Sequence, residues 1–491
     1  MTQTAVPAAR FVGGTIVLEE VGEETAVPTP FQWINGKWRC PAVHYREVQP
    51  WLKAQGIRNR IPRWQTLNLT LHDDRSPHDY QLEALQAWRE NGRWGSIVLP
   101  TGAGKTFVAL RGVVETAVST LIIVPTIDLL HQWYARLETA FQQPIGVWYG
   151  LEKEAHPITV TTYPSAWRHA EELGNQFKLL IFDEIHHLPA PNWHEIALMC
   201  AAPFRMGLTA TYPEEQSSVV SRQSLVKSQK QTPSPHHPIT PSPVHPFTRS
   251  QLLEELVGPV VYTKTVDELT GAQLADYRTE RIRVDLMADE RERYDTAYGV
   301  YTGYMREARL RERYGPNWWQ ELTRRSAYEQ EARRAKVAEL RLKEIVHQAA
   351  AKLEIVNRLL REHTTSPTLI FTAHNRFAYV IARRFLIPVI THQTKAAERK
   401  AILDGFRGGT YRAIVTSKVL NEGIDVPEAK VAVVLGGSST AREYVQRLGR
   451  ILRKKGNLEA ILYEVIARDT VDEGMAQRRR SKSRNVYNVR K

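Results

Sequence analysis

Apolar residues along the 491-residue chain fall into short, near-continuous runs separated by stretches of helical spacing, and this rhythm occurs twice. The first set is Thr120-Leu121-Ile122-Ile123-Val124, Ile158-Thr159-Val160-Thr161, Leu179-Leu180-Ile181-Phe182 and Arg205-Met206-Gly207-Leu208. The second set lies at 368–372, 388–391, 413–416 and 431–435. Runs apolar on both faces, alternating with helices, predict parallel strands covered on both sides of a sheet. Elsewhere the pattern changes. Residues 1–30 show no clear period and are expected to form a flexible arm. Phe31-Gln32-Trp33-Ile34, the turn Asn35-Gly36, Lys37-Trp38-Arg39 and Leu67-Asn68-Leu69-Thr70-Leu71 predict a small β-rich domain over 31–75. Leu82, Leu85 and Trp88 place a helix at 80–89. Residues 214–250 carry TPSPHHPITPSPVHP, whose proline density stops helix and sheet and marks an insertion. Strands resume at 260–262 and 281–286, followed by a long, charge-laced helical stretch from 288 to about 360, broken near Gly315-Pro316.

Ligands of parallel sheets sit at the carboxyl ends of the strands, and the polar motifs fall there. Thr101-Gly102-Ala103-Gly104-Lys105-Thr106 follows an apolar run and precedes Phe107-Val108-Ala109-Leu110, a strand, loop and helix suited to a nucleotide triphosphate. Gly102 and Gly104 let the backbone approach phosphates, Lys105 can reach the β- and γ-phosphates, and the Thr106 hydroxyl can hold Mg²⁺. Leu99 stands where the full pattern has its first glycine, so the match is to a shorter loop. Gln81, upstream, has an amide able to read both a donor and an acceptor on adenine. Asp183 and Glu184 end the third run and can divide two tasks, metal binding and activation of a water. His186 and His187 lack further ligands at zinc spacing, which favours a coupling or structural role. Near the C-terminus Arg447, Arg450 and Arg453 recur at helical spacing and share a face suited to a γ-phosphoryl group.

Composition narrows the class. The apolar fraction of 42% suffices for several packed cores, and the net charge of +13 favours a polyanionic partner. The excess is local: the stretch 37–63 holds seven basic residues against Glu47. Trp33, Trp38, Trp51 and Trp64, interleaved with these cations, read as core before they read as a base-stacking surface. No membrane span or secretory signal is evident, and Cys40 and Cys200 are too few for a disulfide framework. A cytoplasmic protein without membrane partners is expected, with a monomer favoured.

The order of the P-loop, DEIHH, GLTATY, LIFTAHN, NEGIDVP and QRLGRILR resembles superfamily 2 helicases from about Ser76 to Arg468. IFDEIHHLPAP, APFRMGLTATY, FLIPVITHQT, SKVLNEGIDVPEA and AREYVQRLGRILR resemble XPB-type DNA repair helicases of archaea and bacteria in particular. The resemblance implies an α/β fold with two RecA-like parallel-sheet domains, a damage-recognition-like domain at 31–75 and a helical thumb-like insertion. The first RecA-like domain is expected at 76–213, the start of the second at 251–287, the thumb at 288–348, the rest of the second domain at 349–470 and a basic tail at 471–491. It implies an ATP- and Mg²⁺-dependent 3′ to 5′ motor acting on single-stranded, duplex or forked DNA. By the same resemblance Lys105, Thr106, Asp183 and Glu184 form the ATP site, with Gln446, Arg450 and Arg453 supplied by the second domain. Thr209 and Thr211 couple hydrolysis to movement, Gly423 and Asp425 link nucleotide to DNA, and Thr126, Thr162 and Thr416 contact the DNA backbone. A nuclease partner is plausible, since relatives often work with one and no nuclease constellation is evident here. One departure stands out: Tyr212-Pro213-Glu214-Glu215 replaces the Arg-Glu-Asp motif associated with opening DNA. A duplex translocase motor of a restriction or phage-defence complex, an RNA helicase and a non-enzymatic DNA-binding scaffold are the alternative readings.

Overall fold

The structure, a computed structural model, describes residues 6–150, 152–190, 192–213, 248–269, 277–417, 429–436 and 460–477. The chain divides into two compact units, residues 1–268 and 269–491.

The first unit begins with a five-stranded sheet of order β3-β4-β2-β1-β5, in which β1 is Ala8–Val12, β2 Thr15–Glu19, β3 Gln32–Ile34, β4 Lys37–Pro41 and β5 Arg58–Arg60. The expected flexible arm is therefore corrected. Ala8, Ala9, Ile16, Val17 and Leu18 are buried, and a Gly13-Gly14 turn folds β1 back on β2 at the centre of the sheet. The signal was weak because burial along the two strands is uneven and two of their buried side chains are alanines. Trp38, Trp51 and Trp64 pack against the core made by Ile16, Leu18, Phe31, Tyr45 and Leu52. The residues 67–71 form no strand; only Thr66 makes a bridge, to Val118.

A larger sheet follows, with β6 at Trp94–Val98, β7 at Thr120–Val124, β8 at Gly146–Tyr149, β9 at Glu152–Glu154, β10 at Ile158–Thr162, β11 at Leu179–Asp183, β12 at Phe204–Thr209 and β13 at Val260–Thr263. The order is β13-β6-β12-β11-β7-β10-β8-β9, parallel throughout except for β9. Strand β13 and the helix Arg249–Leu256 were expected to open the second domain but complete the first. Leu253, Leu256 and Val257 fill its core, and β13 pairs with β6. The fully buried Arg205 guanidinium fastens the return, donating to the carbonyls of Leu256 at 2.5 Å and Cys200 at 2.7 Å and lying over Trp94. Burial lowers its pKa to about 10, so it stays charged at neutral pH.

In the second unit β14 (Tyr277–Val284), β15 (Thr368–Phe371), β16 (Val389–Ile390), β17 (Ala413–Thr416), β18 (Val431–Val434) and β19 (Ala460–Ala467) form a parallel sheet of order β14-β19-β18-β15-β17-β16. The charge-laced stretch forms paired helices, chiefly Ala288–Glu307 and Gln330–His347. Their buried residues Tyr294, Tyr301, Tyr304, Leu342 and Val346 share a core with Ala467 and Met475. Residues 471–477 are helical and folded into this unit, so the tail begins later than 471. Among the described residues no helix is long and apolar enough to cross a membrane. Both cysteines are buried and unpaired.

Candidate active site

Strand β6 delivers the phosphate loop, and its last step is fixed to the neighbouring strand, the Leu99 amide donating to the Thr209 carbonyl at 3.0 Å. Gly102 and Gly104 take φ values of 90° and 79°, the left-handed region that an L side chain enters only at a cost. Gly104 is also the N-cap of the helix Lys105–Thr116 and has no side chain to cover its first amides, which leaves them aimed into the loop. Gln81 holds the loop from beneath. Its Nε2 donates to the Ala103 carbonyl at 3.0 Å and its Oε1 accepts from the His78 amide at 3.1 Å, while the Tyr80 hydroxyl donates to the same carbonyl at 2.8 Å. Both ends of the Gln81 amide are thus engaged by protein, beneath the loop and 4% exposed. Lys105 Nζ donates to the Leu99 carbonyl at 3.1 Å, and the Thr106 hydroxyl accepts from Arg136 at 3.0 Å.

Asp183 ends β11 and is buried. Its Oδ2 accepts from the Trp133 indole at 2.7 Å, its Oδ1 from the Glu184 amide at 3.0 Å, and its carbonyl from the Tyr163 hydroxyl at 3.1 Å. Burial raises the Asp183 pKa, opposed by the indole hydrogen bond and by the charges of Lys105 and Arg136. Glu184 follows at φ 49°, left-handed for a residue with a β-carbon, a conformation costing about 1–3 kcal/mol that the surroundings must hold. The Glu184 Oε2 lies 3.4 Å from His186 Nδ1 and 3.5 Å from Thr209 Oγ1. His186 Nδ1 lies 2.9 Å from Thr209 Oγ1, and the Thr209 hydroxyl donates to the Thr211 carbonyl at 2.8 Å. Glu184, His186, Thr209 and Thr211 therefore form one hydrogen-bonded chain from the end of β11 to the segment after β12.

The threonines expected on DNA are placed differently from one another. Thr126 and Thr162 cap the helices Ile127–Phe141 and Tyr163–Arg168, accepting from the amides of Leu129 and Ser165. Thr416 is fully buried at the end of β17, its hydroxyl donating to the Ser417 carbonyl. Gly423, Asp425, Gln446, Arg450 and Arg453 lie outside the described residues, as does most of the 214–250 insertion. Trp133, Arg136, Tyr80 and Tyr163 were not read from sequence. Trp133 sits in the apolar stripe Leu130, Trp133, Leu137, which reads as core, and nothing local marks its reach to a carboxylate fifty positions away.

A loop of amides at the start of a helix, a lysine and a threonine hydroxyl after β6, and a carboxylate at the end of β11, one strand removed across β12, suit a triphosphate with a hard, oxygen-seeking divalent cation. Two units each built on a parallel sheet, with that loop at the carboxyl end of β6, define the class: a nucleotide-binding protein of the P-loop type. The family of type III restriction enzyme res subunits matches residues 74–214, and the helicase conserved C-terminal domain matches 351–455. The DNA 3′-5′ translocase XPB2 of Sulfurisphaera tokodaii is 39% identical over 89% of this chain and 92% of its own length. The DNA 3′-5′ helicase XPB of Mycobacterium tuberculosis is 30% identical over 82% of this chain but 62% of its own length. Among solved structures, the Hef helicase domain of Pyrococcus furiosus gives a TM-score of 0.48 at 17% identity, covering 82% of this chain and 98% of that one. The chain belongs to the XPB family of DNA helicases and translocases, a family of ATP-using enzymes.

Proposed function

We propose that the chain is an ATP-driven 3′ to 5′ translocase acting on DNA in repair, with the site of the first unit performing the hydrolysis. The observation that carries this reading is the Asp183 carboxylate at the end of β11 lying in the field of Lys105 and of Arg136, the latter bonded to Thr106, with Glu184 next to it continued through His186 to Thr209 and Thr211. Lys105 and the amides at the start of the helix Lys105–Thr116 bind the β- and γ-phosphate oxygens. Thr106 and Asp183 supply oxygen ligands to Mg²⁺, which when bound neutralises charge on the phosphates. Glu184 orients the attacking water and accepts its proton. The resemblance assigns Gln446, Arg450 and Arg453 to the γ-phosphate and Gly423 and Asp425 to the link with DNA; these residues lie outside those the structure describes. Thr209 and Thr211 are placed to feel any movement of Glu184. Thr126 acts on DNA through the start of the fifteen-residue helix that it caps, whose first amides attract a backbone phosphate. A nuclease partner is proposed on the resemblance alone, since relatives often work with one.

A second reading concerns output rather than chemistry. With Tyr212-Pro213-Glu214 in place of an Arg-Glu-Asp wedge, translocation on duplex DNA proceeds without efficient strand separation. Lys105→Ala and Glu184→Gln are expected to abolish DNA-stimulated ATP hydrolysis while DNA binding in a filter or anisotropy assay stays near wild type. Unchanged turnover in either variant defeats the assignment.

A further inference from the structure

The hydrogen bonds around Asp183 point beyond the motif residues. Trp133 and Asp183 are 1% and 6% exposed, so the indole N–H has no water to trade for the carboxylate, and its 2.7 Å contact is short for a neutral donor. The bond fixes the carboxylate plane together with the Glu184 amide on the other oxygen. Each oxygen retains a lone pair, which is what an Asp that ligates a cation, directly or through its water shell, must offer. Tyr163 acts one bond further along. It is fully buried, stacks on Trp193 at 5.3 Å and directs its hydroxyl to the Asp183 carbonyl. The peptide between Asp183 and Glu184 is thus held at both ends, its carbonyl by Tyr163 and its N–H by the Asp183 carboxylate. That peptide leads into the left-handed Glu184, whose strain persists only where the surroundings over-determine it.

We propose that Trp133 and Tyr163 are positioning residues for hydrolysis, the indole orienting the Asp183 carboxylate toward Mg²⁺ and the phenol clamping the strained peptide that aims Glu184. The inference rests on the role given to Asp183 and Glu184 above. The two side chains divide the labour, and the division is measurable. Groups that orient a metal ligand typically change metal affinity or activity by about 10–100-fold when removed.

The test uses the full chain and N-methylanthraniloyl-ADP, titrated with Mg²⁺ and with EDTA, beside DNA-stimulated ATP turnover and thermal unfolding. Trp133→Phe is expected to cut the Mg²⁺-dependent gain in nucleotide affinity by about ten-fold or more, leaving the affinity in EDTA unchanged. In an Asp183→Asn background the same substitution should have no further effect, whereas a merely packed tryptophan would still show its loss. Tyr163→Phe is expected to lower kcat about ten-fold with KM and Mg²⁺ dependence at wild-type values. A wild-type Mg²⁺ response in Trp133→Phe, or a wild-type kcat in Tyr163→Phe, overturns the proposal. Loss of nucleotide affinity in EDTA, or of the folded state, in both variants also overturns it, because the residues are then structural. If instead Lys105→Ala or Glu184→Gln turns over ATP normally, the underlying assignment of the site fails, and this outcome is distinct from the others.

Discussion

At the scale of single residues, the site depends on backbone conformations that side chains then lock. Gly104 is the sharpest case. A β-carbon there would lie 2.5 Å from Gln81 Nε2 in a conformation with φ 79°, so the residue meets both a conformational and a steric bar. Gly104→Ala should pay about 1–2 kcal/mol for the left-handed backbone alone and push Gln81 from the Ala103 carbonyl. The expected result is a loss of about ten-fold or more in nucleotide affinity, read by equilibrium fluorescence, with little change in DNA binding. The glycines, Lys105, Thr106, Asp183 and Glu184 were legible in sequence because each motif is local and each residue type has few other uses at that spacing. Trp133, Tyr163 and Arg136 were not, because their contacts join separate strands and helices, and an indole in a helical apolar stripe looks the same whether it meets a leucine or a carboxylate.

At the scale of elements, a buried ion pair ties three pieces of the second unit together. Lys352, on the helix Ala350–Glu362, donates to the carbonyl of Leu435 after β18 and to Asp472 Oδ2, each at 2.7 Å and with neither charge reaching solvent. Removing one partner of such a pair strands the other and costs about 3–5 kcal/mol. Lys352→Ala should therefore lower the unfolding temperature of the second unit, while Lys352→Met with Asp472→Leu should recover much of the loss. The pair also sets an acid limit. Burial raises the Asp472 pKa, but the charge and hydrogen bond of Lys352 outweigh it and hold the carboxyl below its ordinary value. A depressed native pKa contributes stability above the unfolded value, and that stability is lost as pH falls through the native one. Calorimetry from neutral pH downward should show this contribution to the second unit being lost from the ordinary carboxylate range down through the lowered native value, and the Lys352→Met, Asp472→Leu variant should lack that component. The strands β7, β10, β11, β15, β17 and β18, buried at every position, were legible because burial on both faces leaves an unmistakable pattern. The strands β1, β2 and β13 were misassigned for a different reason. Their fate is set by which sheet edge and which core receive them, and four or five residues do not carry that information.

At the scale of the whole molecule, the placement of β13 changes how the proline-rich insertion is understood. Were the helix Arg249–Leu256 the start of the second domain, residues 214–247 would connect two domains, and shortening them would restrict their movement. Instead both flanks belong to one core: Tyr212 packs against the same cluster as Leu252, Leu253 and Leu256, and Arg205 fastens the return through the Leu256 carbonyl. The insertion therefore leaves and re-enters a single unit, and a closed loop is tolerant of length, since the entropy of closing it varies slowly with residue number. Replacing 214–247 with a short Gly-Ser linker is expected to leave the unfolding of the first unit and DNA-stimulated ATP turnover close to wild type. Because the insertion follows Tyr212-Pro213, where the resemblance calls for an Arg-Glu-Asp motif, the informative comparison is strand displacement on forked, bubble and blunt DNA, each run beside ATP turnover on the same substrate. Displacement lost while turnover persists would assign the wedge to the insertion. Displacement unchanged would leave the opening of DNA to the motor domains themselves. A marked fall in the unfolding temperature of the first unit would contradict the single core that Arg205 and the returning strand β13 imply.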